Sequence, residues 1–549
     1  MKKTFLKAAC FTVAVFILFT TLTACTAGSK TISTTSSTAA SSISAAVSTT
    51  AGNESVYPLK TDVKLTYWSE MNPNVSANYK NAGDTPFAQE LAKRTGIQVE
   101  YIHSTTDEAF ALLMASNDLP DIIEFWWDAY PGGPSQALKD DQIIALNDIM
   151  DEHAPNFTKW LKAHPDVARQ IRWDEGYYIG FPCVLGDGKE VYVQYGPQIR
   201  KDLLDKLKLS VPETVDEWYS ALKGMKDLGV AAPITANKGY RIDFLARAFG
   251  IVIGDLKVGA FYIEDGKVVY GPMQPAYKDY LATWRKWYAD GLIDKDIATV
   301  DGNIAKAKIL DGSSAATVGT VGTLYTYNDT AQKNIPGFQM VAAPLPVLKK
   351  GDVNKYPFVE NQYTPSEVQA VITKQCKHPD IAARLLDYLW SEEGIILANW
   401  GIKDKTYTVG VDGKFKYTDF VKNNPDGWTV SRVKGGYMRS YASGPFYQDV
   451  TIAFQTYMIP EQFEARDLWT KTVSLEHLLP PMRRTASEDE EFTKIINDVK
   501  TYSEECLLKF MMGTMSLDEY DTYTAQMKQL GIDRAIEIMQ AAYTRYLAK

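Results

Sequence analysis

The residues best suited to hold a ligand lie in one run, Leu119-Pro-Asp-Ile-Ile-Glu-Phe-Trp-Trp-Asp-Ala-Tyr-Pro-Gly-Gly133, where a short apolar segment meets an aromatic cluster. Asp121 to Phe125 is too short and too β-favouring for a helix, and Pro131-Gly132-Gly133 breaks the chain. The run therefore reads as a buried strand that ends at Trp126, Trp127, Asp128 and Tyr130. In an open α/β sheet, ligands bind outside the carboxyl ends of the strands. The two tryptophans serve equally well as core caps, because large aromatics mostly serve burial. The five His show no zinc-motif spacing, and there is no Gly-x-Ser-x-Gly elbow and no phosphate loop. Carboxylates are plentiful, and a glycoside hydrolase needs only two of them about 5 to 9.5 Å apart, so that class of enzyme stays open.

The elements that must position this run precede it. Val63, Leu65 and Tyr67 alternate with Lys64 and Thr66, giving a strand that ends at Trp68. Pro86 and Gly96 bracket a helix over Phe87 to Thr95, Ile97, Val99 and Tyr101 alternate as a second strand, and Asp107 to Asn117 reads as a second helix. The order βαβαβ implies a parallel sheet, with Trp68 and Trp126 on one rim. Farther on, Thr214 and Glu217 form a capping box, and Asp265-Gly266 fits a two-residue turn between Phe261 and Tyr270. Trp284, Trp287 and Tyr288 have helical spacing and read as core. A new domain begins near residue 188. The end of the chain is helical: Ser516 and Glu519 form a capping box, and Ile532, Ile536, Met539 and Tyr543 make one apolar face.

The 549 residues allow two or more cores, and 45% hydrophobic with 23% charged residues is globular composition. Residues 1–24 have a basic start and the apolar run Ala8 to Leu22, which is short for a membrane span but right for a signal-peptide core. Removing Lys2, Lys3 and Lys7 takes the net charge from -9 to about -12, which disfavours nucleic acid as a partner. Residues 26–55 are almost wholly Ser, Thr, Ala and Gly, a flexible tether. Cys183, Cys376 and Cys506 have no metal spacing and read as small apolar residues, with one disulfide possible in an exported chain.

Leu22-Thr-Ala-Cys25 resembles the bacterial lipobox, which implies lipid modification of Cys25 and a membrane anchor. The ordered set of Leu119-Pro-Asp-Ile-Ile123, Arg200-Lys-Asp-Leu-Leu204, Val211 to Trp218, Asp311 to Thr320 and His378 to Gly394 resembles the extracellular solute-binding proteins of family 1. These are receptors of ABC importers and include maltodextrin- and alginate-oligosaccharide-binding proteins. The resemblance takes the helix within His378 to Gly394 to end in Ser-Glu-Glu-Gly394.

The resemblance implies an α/β chain of the type II periplasmic-binding-protein fold, two α/β lobes joined by a multi-crossing hinge. Lobe one is expected at 61–185 and 341–398, and lobe two at 186–340 and 399–549, after a leader at 1–24 and a lipidated linker at 25–60. Tyr177 to Pro182 and Phe338 to Ala342 are the expected crossings, with a third before Trp400. It further implies an oligosaccharide ligand, ABC permease subunits as partners, a monomer at the extracellular face of the cell membrane, and no enzymatic activity. A saccharide cleft combines stacking aromatics with hydrogen-bonding side chains. Matching by position nominates Trp126, Asp128, Tyr240, Arg241 and Tyr325, followed by Trp68, Trp127, Trp400, Tyr437 and Arg439. The calcium loop of the alginate receptors has no counterpart in Gly229 to Thr235, so no metal or other cofactor is expected. A receptor for peptides or another non-sugar solute stays open.

Overall fold

The computed structural model describes residues 57–104, 108–173, 176–186, 195–236, 243–254, 259–356, 369–439, 444–472 and 474–549. The leader, the tether, Cys25, Tyr240 and Arg241 lie outside them. Tyr57 and Leu59, expected in the linker that ends at residue 60, are joined to the first sheet's helices: Leu59 N–H donates to the Thr95 carbonyl at 2.8 Å and the Tyr57 hydroxyl to the Arg384 carbonyl at 2.7 Å.

In chain order the strands are β1 Lys64–Glu70, β2 Gln98–Ser104, β3 Ile122–Phe125, β4 Phe181–Val184, β5 Tyr195–Arg200, β6 Ala232–Ile234, β7 Phe261–Glu264, β8 Lys267–Tyr270, β9 Ser314–Thr320, β10 Met340–Ala342, β11 Gln369–Ile372, β12 Tyr407–Val409, β13 Phe415–Tyr417 and β14 Phe446–Tyr447. The first sheet has the order β14-β4-β11-β3-β1-β2, with β2, β1 and β3 mutually parallel as βαβαβ requires. The second has the order β10-β5-β9-β6, and two hairpins, β7-β8 and β12-β13, complete the strands described. Asp265 and Gly266 both have positive φ (49° and 74°), which is the primed turn the sequence predicts.

Strand alternation divides the first core. Ile122, Ala370 and Ile372 face one apolar cluster with Leu65 and Phe181, whereas Ile123 and Val371 face a second with Trp68, Phe110 and Trp173. Pro86 opens helix Pro86–Thr95 and left-handed Gly96 (φ 73°) closes it; a Cβ at residue 96 would collide with the backbone of Leu59. The second sheet carries helices Val215–Asp227 and Ala276–Ala289 on one face and Gly302–Leu310, Val321–Ala331 and Pro460–Thr472 on the other. The expected capping boxes at Thr214/Glu217 and Ser516/Glu519 are formed, and Trp284 and Trp287 are core.

The connections depart from the sequence reading. Because β4 is antiparallel to β11, which is antiparallel to β3, β4 runs with β3 and ends at the same edge. Tyr195 pairs with Thr320, so β5 begins where β9 ends. Ala343 N–H donates to the Pro197 carbonyl beside that edge, and Gln369 opposite Phe125 starts β11 at the corresponding edge of the first sheet. The chain thus passes three times between the carboxyl-terminal edges of the two sheets, after Val184, after Ala342 and after Tyr447. Tyr177 to Pro182 and Phe338 to Ala342 are therefore not crossings: Phe181 and Pro182 belong to β4, and Met340–Ala342 is an edge strand of the second sheet.

The segment expected wholly in the second lobe also contributes to the first sheet, since β14 pairs with β4 and helix Val430–Tyr437 packs on helix Pro86–Thr95. Ser-Glu-Glu-Gly394 starts a helix instead of ending one: Ser391 accepts Gly394 N–H and caps Glu392–Trp400. In the last helix, Ile532–Ala548, Ile536 and Tyr543 are only half-buried. Ala535, Ile538 and Ala542 fill the core with Ile532 and Met539.

Candidate ligand-binding cleft

The site follows from the three crossings. The carboxyl ends of β1, β3 and β4 on one sheet and of β6 and β9 on the other are held together by segments that start and finish at those ends, which is where an open α/β architecture leaves room for a ligand. Trp126 directly follows β3 with half of its surface exposed (50%), beside the partly exposed carboxylate of Asp128. Trp127, which opens a short 3-10 helix, is fully buried (0%) against Phe110, with ring centroids 5.3 Å apart in an edge-on arrangement.

Two further tryptophans nominated from sequence are core residues. Trp68, 4% exposed, packs on Phe110 and Phe125 at 6.3 and 5.6 Å, because β1 turns that side chain away from Tyr67 and into the second apolar cluster. Trp400, 2% exposed, donates its indole N–H to Asp449 Oδ2 at 3.1 Å. Asn399 accepts Asp449 N–H at 2.8 Å and donates to the Tyr447 carbonyl at 2.7 Å. The Asn399-Trp400 pair therefore pins the start of the third crossing.

Tyr437 is half-buried, edge-on to Phe420 at 5.2 Å, and burial followed by the charge of Asp426 raises its hydroxyl pKa. Arg439 is ion-paired with buried Glu124, which also accepts the Tyr67 hydroxyl at 2.5 Å. Burial works against the guanidinium charge, but Glu124 outweighs it and raises the Arg439 pKa. Gly444, at φ 134°, leaves room for this guanidinium, where a Cβ would collide with it. Arg439 is thus a fastener between β3 and the approach to β14. Tyr325 is half-buried on helix Val321–Ala331, which begins at the end of β9. The nominated Tyr240 and Arg241 lie outside the described residues. The turn after them, Asp243–Phe249, is anchored by a buried ion pair from Arg247 to Asp243 at 2.7 Å.

The third crossing, expected before Trp400, instead follows β14, because Phe446–Tyr447 still pairs in the first sheet. Phe454, Tyr457 and Phe463 form a cluster there: Phe454 stacks near-parallel to Phe463 at 6.3 Å, and Tyr457 meets Phe463 edge-on at 5.1 Å. Met458 is 66% exposed and Phe463 46%. Gln462 fixes the turn by accepting Met458 N–H at 2.7 Å and Ile459 N–H at 3.3 Å while donating to the Val321 carbonyl at 3.4 Å. The available signal was a concentration of aromatics, Phe454 to Phe463, after a strand too short to have a period. Together with Trp126 these residues offer flat apolar faces beside polar groups, an arrangement suited to binding. Among the described residues there is no group of three or more His, Cys, Asp or Glu placed to hold a metal ion.

Residues 77–396 match the family described as bacterial extracellular solute-binding protein. The chain is 24% identical over 531 residues to the fructooligosaccharide ABC transporter substrate-binding protein FusA of Streptococcus pneumoniae serotype 4, covering 90% of this chain and 92% of the relative. It is 26% identical over 362 residues to lipoprotein LipO of Bacillus subtilis strain 168, covering 62% of this chain and 67% of the relative. The crystal structure of alginate-binding protein AlgQ2 without calcium superposes with a TM-score of 0.64 at 24% identity, over 90% of this chain and 100% of that one. The architecture is accordingly the periplasmic-binding-protein fold expected from sequence.

Proposed function

The chain belongs to the bacterial extracellular solute-binding protein family, and from that premise we propose that it is the substrate-binding lipoprotein of an ABC importer that captures an oligosaccharide between two lobes. The observation that carries the carbohydrate reading is the exposed ring of Trp126 at a sheet edge to which all three crossings lead. Pyranose and furanose rings present C–H patches that stack on such faces, with hydroxyls for neighbouring polar groups. The similarity to FusA supports the same ligand class. The first lobe is assigned to residues 57–184 and 369–447, and the second to 195–342 and 460–549. Trp126, Asp128, Tyr240, Arg241, Tyr325 and Tyr437 remain the proposed contacts, joined by Phe454, Tyr457 and Phe463.

The lipobox at Cys25, after signal-peptide cleavage, would anchor a monomeric receptor at the extracellular face of the cell membrane, and the tether would leave it free to reach a permease. Similarity to lipoprotein LipO supports that placement, and no helix among the described residues is long and apolar enough to cross a membrane. The protein holds its ligand without transforming it. A thermal-shift screen of fructo-, malto- and uronate oligosaccharides against peptides tests the proposal, with chromatography of each sugar after incubation. Stabilisation by a sugar that is recovered intact is the expected result. Stabilisation by peptides alone overturns the saccharide reading, and shortened sugars would identify a glycan-degrading enzyme.

A further inference from the structure

Arg483 joins the two lobes outside the chain crossings. Arg483 belongs to the second lobe's tail: Leu479 lies in that lobe's core and Met482 packs on it, and the Arg483 carbonyl accepts a hydrogen bond from Arg545 at 3.2 Å. Arg545 is in turn paired with Glu488 at the start of helix Ala486–Met512. The guanidinium of Arg483, however, faces the first lobe. It lies over the ring of Trp173, 3.4 Å from the centroid, and 3.6 Å from the Asp128 carboxylate two residues beyond Trp126. Its side chain is only 13% exposed, against 39% for Asp128.

The contact has support along one line. Lys549 Nζ donates to the Arg172 carbonyl at 2.7 Å, the Arg172 guanidinium donates to the Lys549 carbonyl, and Arg169 approaches the Tyr546 ring at 5.9 Å. The tail of the second lobe thus lies along helix Pro165–Ile171 and the turn after it.

We propose that Arg483 is a latch that couples lobe closure to the ligand edge. When the lobes meet, its guanidinium seats on Trp173 and against Asp128, which favours the closed arrangement and fixes the Asp128 carboxylate beside Trp126. Planarity suits Arg to this position, since one guanidinium stacks on an indole and faces a carboxylate together. The ion pair is long and partly exposed, so salt screens it, with a Debye length of about 10 Å at 0.1 M.

Small-angle X-ray scattering of the purified protein without ligand tests the latch independently of any sugar. At low salt, Arg483→Ala and Asp128→Asn are each expected to enlarge the radius of gyration by shifting the closed-to-open ratio several-fold. Raising NaCl to 1 M should enlarge the wild type and leave Arg483→Ala nearly unchanged. Circular dichroism and thermal melts establish that each variant is folded, and Asp128→Asn, altering a partly exposed side chain, serves if Arg483→Ala does not fold. Folded variants with the wild-type radius at low salt would overturn the latch.

Discussion

Trp126 and Trp127 show how one peptide unit decides between ligand contact and core. Trp126 is extended and caps a short 3-10 helix that Trp127 opens, which leaves the first half-exposed and the second fully enclosed beside Phe110. Trp126→Ala should change folding stability by no more than about 1 kcal/mol while weakening oligosaccharide binding at least tenfold. Trp127→Ala should cost about 3–5 kcal/mol by opening a cavity. Denaturant melts paired with titration calorimetry separate the two effects, and a reversed pattern would remove Trp126 from the site. Trp400→Phe is expected to lower stability by about 1–3 kcal/mol in the same melts, because the Asp449 carboxylate loses its indole donor inside the protein. Both Trp127 and Trp400 looked like ligand aromatics in sequence, since residue type does not report which way a side chain faces.

At the scale of elements, Asp387 links two helices of the first lobe. It lies in helix Pro379–Tyr388, fully buried, and accepts Phe157 N–H at 2.8 Å and Asn156 Nδ2 at 2.7 Å at the start of helix Pro155–Ala163. Burial dominates those donors and pushes its pKa up from 3.8 to about 6. A carboxyl raised on folding binds more protons in the native state between those values. Its contribution to stability is therefore complete below about pH 4 and is lost as pH rises through 6. Asp387→Asn keeps an acceptor for Phe157 N–H and should flatten that part of the pH–stability curve, measured by urea melts from pH 4 to 7; an unchanged slope would argue against it. The local grammar of elements was legible: the Pro86–Gly96 helix, the capping boxes and the Asp265-Gly266 turn all formed as read. The crossings were not, because β4, β10 and β14 are only four, three and two residues long. Such strands are defined by their partners across the sheet, and those partners lie far away in sequence. The Phe454–Phe463 aromatics were missed for the same reason, since the crossing that makes them part of an edge had not been located.

For the whole molecule, three connections between the same two sheet edges suit the proposed capture between lobes, because they permit opening and closing about those segments. A ligand that touches both edges then binds the closed arrangement more tightly and shifts the population towards it. Ligand affinity and global stability are consequently linked. A cognate oligosaccharide at about 100 times its Kd should raise the unfolding free energy by about 2.7 kcal/mol, and the same saturation should reduce the radius of gyration in scattering. Fructo-oligosaccharides are the first probes, given the similarity to FusA. Binding with stabilisation but no compaction would place the sugar on one lobe alone, contrary to capture between edges. The aromatic crossing distinguishes the cases further. Phe463, near the second sheet's edge, and Trp126, on the first, should both matter to a bridging ligand, so Phe463→Ala and Trp126→Ala should each weaken binding and each diminish the compaction at a fixed sugar concentration. If only one of them affects binding, the ligand rests on that residue's lobe, and closure is driven by contacts such as Arg483 on Trp173 instead of by the sugar.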